Sequence, residues 1–500
     1  MPQRKTTNPA PADDLGRLLA EVTALRFEVK REGATLVNQW SVPISEPEVA
    51  ARAANLGHYV ALRGHDLIDL QYRLAAHGLS SLGRSEARVV PALEALITTL
   101  RRLCGETRNP YPTPALMRAA QDDLDAEATR LFGVARGGGP RARILVTLPS
   151  EAANDAPFIE RLLAAGMDCA RINCAHDDAA AWARMIANIR AAEAKLGLSC
   201  KILMDIAGPK CRVSSVRAPP KYRIQRGDRL EIAMRLDDPN KGPNAFTISF
   251  PRIVEQLQIG SEVSIDDGKA AARVIEKSPG SALVEVYAAR EKGVRLKLDK
   301  GVNFPSTEIE LTPLTPKDFR DLDFVAANAD LVGFSFVQRV EDVELLQDHL
   351  TARRPRKAPP QAIVLKIETP LAVRNLPRLI LRSLAHNPTA VMIARGDLAV
   401  EIGFARLSEM QEEILWLCEA AHTPVVWATQ VLDQFVRDGI ASRSEMTDAA
   451  MAQGAECVML NKGPHLVEGV TFLRDVLTRM DRHHTKKFER YARLTTWSLP

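Results

Sequence analysis

The feature that most constrains this chain is a rhythm that begins after residue 140: eight short, largely apolar runs, most of them followed by a segment of helical length. The runs are Arg143 to Leu148, Cys169 to Asn173, Lys201 to Ile206, Asp330 to Phe336, Ala362 to Glu368, Ala390 to Arg395, Pro424 to Thr429 and Cys457 to Asn461. Asp155 to Ala165 and Ala180 to Leu196 are examples of the helical segments between them. Strands that alternate with helices pair in parallel, and eight such units imply a closed α/β fold, the (β/α)8 TIM barrel.

One gap breaks the rhythm. Residues 213–302 show no helical period and carry strand-like pieces at Arg229 to Ala233, Glu262 to Ile265, Ala271 to Ile275 and Ala282 to Ala288. This reads as a small β-barrel domain inserted after the third barrel strand. Barrel chemistry sits on the loops at the C-terminal strand ends, so an insertion there is placed to act as a lid.

Before the barrel the pattern is helical. Leu15, Leu18, Leu19, Val22, Leu25 and Val29 fall on one face at the 3.6-residue period. Ser45 with Glu48, and Pro47 between them, suggests a capping box that opens a long helix ending at His77-Gly78. A second helix is predicted from Ser85 to Cys104 and a third from Thr113-Pro114. Arg63, His65, Asp66 and Asp69 read as a solvated face with local ion pairs. Gly137-Gly138-Gly139-Pro140 then ends the helical region. The expected division is 1–136 helical, 141–212 with 303–480 barrel, 213–302 lid and 481–500 tail.

At 500 residues, with 46% hydrophobic and 26% charged content, the chain has the composition of a globular protein. The net charge of +4 is a small difference between 66 basic and 62 acidic residues, with no long run of like charges, so neither a nucleic acid nor a membrane is an expected partner. Met1 to Ala12 contains no apolar leader core, and no later stretch approaches a membrane span, which points to the cytoplasm. The seven cysteines lack Cys-x-x-Cys spacing and read as reduced, buried thiols.

The strand ends carry the chemistry. Thr147, Arg171, Asn173, Asp205, Ser335, Lys366, Glu368, Asp397, Thr429 and Asn461 stand at or just after them, and nearly all are polar. An apolar strand should not bury Lys366 beside Glu368 without a partner or ligand. Glu368 ends one strand and Asp397 follows the next, so two carboxylates meet at the barrel mouth. Oxygen ligands with open positions suit magnesium or manganese rather than zinc. Gly396 and Asp397 open a helix whose free N–H groups can receive an anion. Lys366, Arg171 and Arg212 supply the positive charge that a transferring phosphoryl group requires.

Gly166-Met167 through Arg171-Ile172-Asn173-Cys174-Ala175-His176, Asp205 through Gly208-Pro209-Lys210-Cys211-Arg212, Ile265-Asp266-Asp267-Gly268, Lys300-Gly301-Val302-Asn303, Lys366-Ile367-Glu368, Ala394-Arg395-Gly396-Asp397-Leu398 and Ala428-Thr429-Gln430 occur in this order. Together they resemble the ordered motifs of the pyruvate kinase family, over roughly residues 141–475. The resemblance implies transfer of a phosphoryl group from phosphoenolpyruvate to ADP, the last step of glycolysis. It implies that Glu368 and Asp397 hold Mg2+ or Mn2+, that Lys366 neutralises the moving phosphoryl group and that Arg171 contacts it. Thr429 with the Gly396-Asp397 backbone would receive the substrate carboxylate. His176 and Arg212 would face the nucleotide, and Asp267 would reach in from the lid.

The chain also departs from the family. The resemblance is to a short form, expected to lack the family's C-terminal regulatory domain and to add the helical region before residue 140, so effector control through that domain is not implied and the oligomeric state stays open. Asn461-Lys462-Gly463 replaces a Ser-Gly-Glu, Gln338 replaces an arginine, and Ala175 replaces a potassium-ligand serine. Ile206 stands at another such ligand position, and Lys210 replaces a glutamate. An ammonium there would substitute for the monovalent cation, so potassium is not an expected requirement. The altered loop leaves a barrel enzyme acting on another 2-oxo acid or enolpyruvate as the alternative, with a catalytically weak regulatory homologue as a third.

Overall fold

The computed structural model of the protein describes residues 11–106, 110–236, 238, 242–305, 307–354, 358–486 and 488–489. Most of Met1 to Ala12 and most of the 481–500 tail lie outside these residues. Eight parallel strands close into a barrel: Arg143–Thr147, Cys169–Asn173, Lys201–Ile206, Leu331–Phe334, Ala362–Ile367, Thr389–Ala394, Val425–Ala428 and Cys457–Leu460. Each lies within one or two residues of its sequence expectation. The first strand pairs with both the second and the eighth, which seals the ring.

Alternation along the strands sorts the barrel into layers. Ile144, Val146, Ile202, Met204 and Ile363 join the core shared with the surrounding helices. The alternate residues Leu145, Cys169, Leu203, Val364, Met392, Val426 and Met459 form a separate apolar cluster inside the ring. Two residues further along the same inward-facing rows the chemistry changes, to Thr147, Arg171, Asp205 and Lys366. The barrel therefore has an apolar floor and a polar mouth.

The floor is completed from outside the ring. Helix α5 (Pro114–Phe132), after α1 (Pro11–Trp40), α2 (Pro47–Arg63), α3 (Ile68–Ala76) and α4 (Val89–Leu103), ends with Leu131 and Phe132 inside the floor cluster. Arg143 Nε donates to Gly133 O at 2.9 Å, and its Nη2 donates to Thr129 Oγ1 at 2.8 Å. The remaining helices pack on the barrel flank. Asn55 Nδ2 donates to Ala420 O at 2.8 Å, and Arg52 and His422 share Asp123.

Two helical expectations need correction. Ser45 and Glu48 do not form a capping box, because proline at the first helical position makes Glu46 the cap residue, with no side-chain cap bond. Nor does one helix run to Gly78: α2 stops at Arg63, and α3 begins at Ile68. Arg63 lies over the rings of Trp416 and Tyr59, at 5.0 and 5.9 Å from their centroids, while His65 pairs with Glu32 and Asp69 with Arg73. The α1 face does turn inward, with Leu18, Val22 and Val29 fully buried. Six cysteines are buried as free thiols, but Cys104 is exposed at the end of α4.

The inserted segment forms a seven-stranded sheet and a two-stranded one, Arg223–Ile224 with Val294–Arg295, around its own apolar core. Its terminal strands, Val213–Arg217 and Val302–Asn303, meet through an Arg212–Gly301 bridge beside the point of insertion, so the sheet closes on itself there. Among the described residues no helix is long and apolar enough to cross a membrane.

Candidate active site

Asp205 is the hub of the mouth. It is buried at the end of the third strand, beside Gly333 on the fourth, where a Cβ would stand 2.7 Å from Asp205 Oδ1. Glycine is what makes room for the carboxylate. Arg171 Nε donates to Asp205 Oδ2 at 2.8 Å, Arg171 Nη2 contacts the same oxygen, and Arg171 Nη1 reaches Thr147 Oγ1 at 3.1 Å. Lys366 Nζ lies 3.1 Å from both Asp205 oxygens, 2.6 Å from Ser335 Oγ and 3.4 Å from Glu368 Oε1.

Burial opposes charge on every member, and the partners decide the outcome. For Asp205, burial is outweighed by Lys366 and Arg171, which hold its pKa below the usual carboxylate value. For Lys366, burial is outweighed by Asp205 and Glu368, so its pKa lies above the ordinary lysine value. Glu368 differs. Burial and the charge of Asp397 prevail over Lys366 and push its carboxyl up to about 6, although Phe336 N donates to Oε2 at 2.5 Å. Glu368 feels the charge of Asp397, so the two carboxylates lie close enough to act as one oxygen donor set, which suits a divalent cation.

Asp397 stands in the first turn of the helix Arg395–Ile402, and its Oδ1 accepts from Lys210 Nζ at 2.7 Å. Arg395 fixes this turn against the seventh strand: Nε donates to Ala428 O at 3.0 Å, Nη2 to Thr429 O at 2.6 Å, and the guanidinium is ion-paired with Asp448. Thr429, held at a φ of 63°, accepts from Gly396 N at 2.7 Å through Oγ1. Its own hydroxyl hydrogen is thereby left to donate elsewhere.

The structure thus gathers Arg171, Lys366, Glu368, Asp397, Gly396, Thr429 and Lys210 around one mouth. Asp267 joins them from the inserted segment: a Cβ on Gly301 would lie 3.5 Å from Asp267 Oδ1 and 3.7 Å from Lys210 Cε. His176 lines a small pocket with Thr147, Arg171, Asn173 and Lys462. Burial lowers its pKa, and the charges of Lys462, Arg212 and Arg171 lower it further. Arg212 itself donates to Asp299 O at 2.8 Å.

Three contacts escaped the sequence. Lys317 Nζ donates to Cys174 O at 2.6 Å, beside Ala175. Asn303 Nδ2 donates to Glu401 Oε1 at 2.8 Å, tying the lid's last strand to the barrel. Lys210 Nζ reaches Asp397 Oδ1 at 2.7 Å. Each joins residues 98 to 187 positions apart, so nothing in the sequence signalled them.

Residues 140–464 match the family described as pyruvate kinase, barrel domain. The chain is 31% identical over 350 residues to a pyruvate kinase of Agrobacterium vitis, covering 69% of each protein. It is 29% identical over 369 residues to one of Thermococcus litoralis, covering 72% of this chain and 74% of the relative. Against that of Geobacillus stearothermophilus, also at 29% identity, it covers 57% of the relative. The barrel, its ordered motifs and these relatives agree: the chain belongs to the pyruvate kinase family.

Proposed function

We propose that this enzyme carries out the family's reaction, moving the phosphoryl group of phosphoenolpyruvate to ADP, at the mouth formed by Arg171, Lys366, Glu368, Asp397 and Thr429. The observation that carries the reading is a buried Lys366 between two carboxylates, with Arg171 on the far side of Asp205. Such a cluster is costly to build without an anion to receive.

Glu368 and Asp397 are the residues that would hold Mg2+ or Mn2+. A bound ion would supply Lewis-acid charge for the phosphoryl transfer. Lys366 and Arg171 hold the phosphoryl group by charge that is already fixed in place, so little reorganisation is needed as the bond to the enolate oxygen breaks and the bond to an ADP oxygen forms. Thr429, through its free hydroxyl hydrogen, and the first turn after Ala394 orient the substrate carboxylate. The released enolate takes up a proton to become pyruvate. His176 and Arg212 face the nucleotide, and Asp267 closes over it as the lid, residues 213–302, moves against the barrel, 141–212 with 303–480.

Potassium is not required in this reading. Asp205 is already shared by Arg171 and Lys366, which leaves its oxygens little to offer a monovalent cation, and the ammonium groups of Lys317 and Lys210 flank the same mouth. The cytoplasm is the compartment that suits this substrate pair. The test is pyruvate formation from phosphoenolpyruvate and ADP with magnesium. Absence of pyruvate from folded protein, with manganese also tried, overturns the reading.

A further inference from the structure

Asn461, Lys462 and Gly463 follow the eighth strand and depart from the family sequence at the mouth itself. Register fixes where they stand: Leu460 is opposite Val146, so the loop continues beside Thr147 and Leu148. Its path is fixed as well. A Cβ on Gly463 would lie 2.6 Å from Val436 Cγ1 and 2.7 Å from Val436 O, and His465 N donates to that carbonyl at 2.9 Å. The backbone is clamped to the Asp433–Asp438 helix, and Lys462 lines the pocket that contains Arg171 and His176.

Positive charge outnumbers negative at His176: Lys462, Arg212 and Arg171 act on it against Asp177 alone, whose Oδ2 accepts from Ser150 Oγ at 3.0 Å, while Arg171 is paired with Asp205. Lys462 has neither an ion pair nor a hydrogen bond among the described residues, and its charge is felt at His176 together with that of Arg212. The pocket holds about 140 Å3, below the roughly 300 Å3 at which sites enclose a whole ligand. It has room for a phosphate, with the remainder of a ligand outside.

We propose that Lys462 is a binding residue for the acceptor, holding a phosphate of the nucleoside diphosphate where it enters between the first and eighth strands. This rests on the reading of the barrel as a phosphoenolpyruvate-dependent kinase. A lysine gives charge without directional recognition, so arginine can replace it and a neutral residue cannot. Because Lys462 is exposed, the contribution is screened by salt.

The experiment compares the full-length magnesium enzyme with Lys462→Ala, Lys462→Glu and Lys462→Arg. Lys462→Ala should raise the KM for ADP about tenfold and Lys462→Glu further, while Lys462→Arg stays within roughly threefold of wild type. The KM for phosphoenolpyruvate and kcat at saturating ADP should move less than about twofold. Binding of inorganic pyrophosphate, followed by calorimetry without phosphoenolpyruvate, should weaken in the same order. If wild type makes no pyruvate but pyrophosphate binding still follows that order, the kinase reading fails and the anion subsite stands. An unchanged KM for ADP in both Lys462→Ala and Lys462→Glu, or an equal rise for both substrates, overturns the role of Lys462.

Discussion

Lys210 Nζ lies 2.7 Å from Asp397 Oδ1, so an ammonium carried by the loop into the lid neutralises one of the two carboxylates proposed to hold the metal. The pairing gives the mouth a permanent cation before any ion arrives. Turnover should therefore differ by less than about twofold between tetramethylammonium and potassium buffers of matched ionic strength. Activation of tenfold or more by potassium would show that lysine does not stand in for the ion.

Lys366→Met should lower kcat by at least about a thousandfold, since it removes a preorganised charge aimed at the transition state. Arg171 still neutralises Asp205, so the barrel should fold. Steady-state kinetics with circular dichroism on the variant decide the matter, and a loss below tenfold would remove Lys366 from its proposed role.

Glu368→Gln and Asp397→Asn should each raise the magnesium concentration for half-maximal activity by about tenfold or more, because each deletes one of two protein carboxylates. The measurement is a metal titration of activity. Unchanged half-saturation in both variants would put the metal elsewhere.

Glu401 makes stability depend on pH. Burial pushes its carboxyl from 4.5 up to about 7, with the Asn303 amide acting against the shift and the charge of Asp397 adding to it. The raised pKa means that the folded state keeps a proton the unfolded chain gives up, so stability falls as pH rises through this window and the loss is complete above about 7. The total is on the order of 3 kcal/mol. Urea unfolding at pH 5 and pH 8 should show this slope in wild type and a flatter one in Glu401→Gln. Parallel slopes would exclude the assignment.

The barrel strands were legible because they are buried on both faces, so each is an apolar run that ends where the mouth begins. Lys366 and Glu368 stood out for the same reason: charge at the end of such a run needs a partner. The partner itself was not legible. Asp205 is 161 positions from Lys366 and 34 from Arg171, and only closure of the ring brings the three together. The partner of Lys210 was hidden for the same reason, since Asp397 lies 187 positions further along the chain. The break after Arg63 was missed because apolar residues continue on both sides of it, at Ala61, Leu62, Leu67 and Ile68.

The end of α5, seated in the floor of the ring, ties the order of synthesis to the order of folding. Leu131 and Phe132 leave the ribosome before any barrel strand, yet their binding site exists only after the eighth strand has closed against the first. Until then they are exposed apolar surface on a nascent chain, open to chaperones and to premature association. Once closure occurs, helix and barrel hold each other's buried surface, and the two should melt in one cooperative transition.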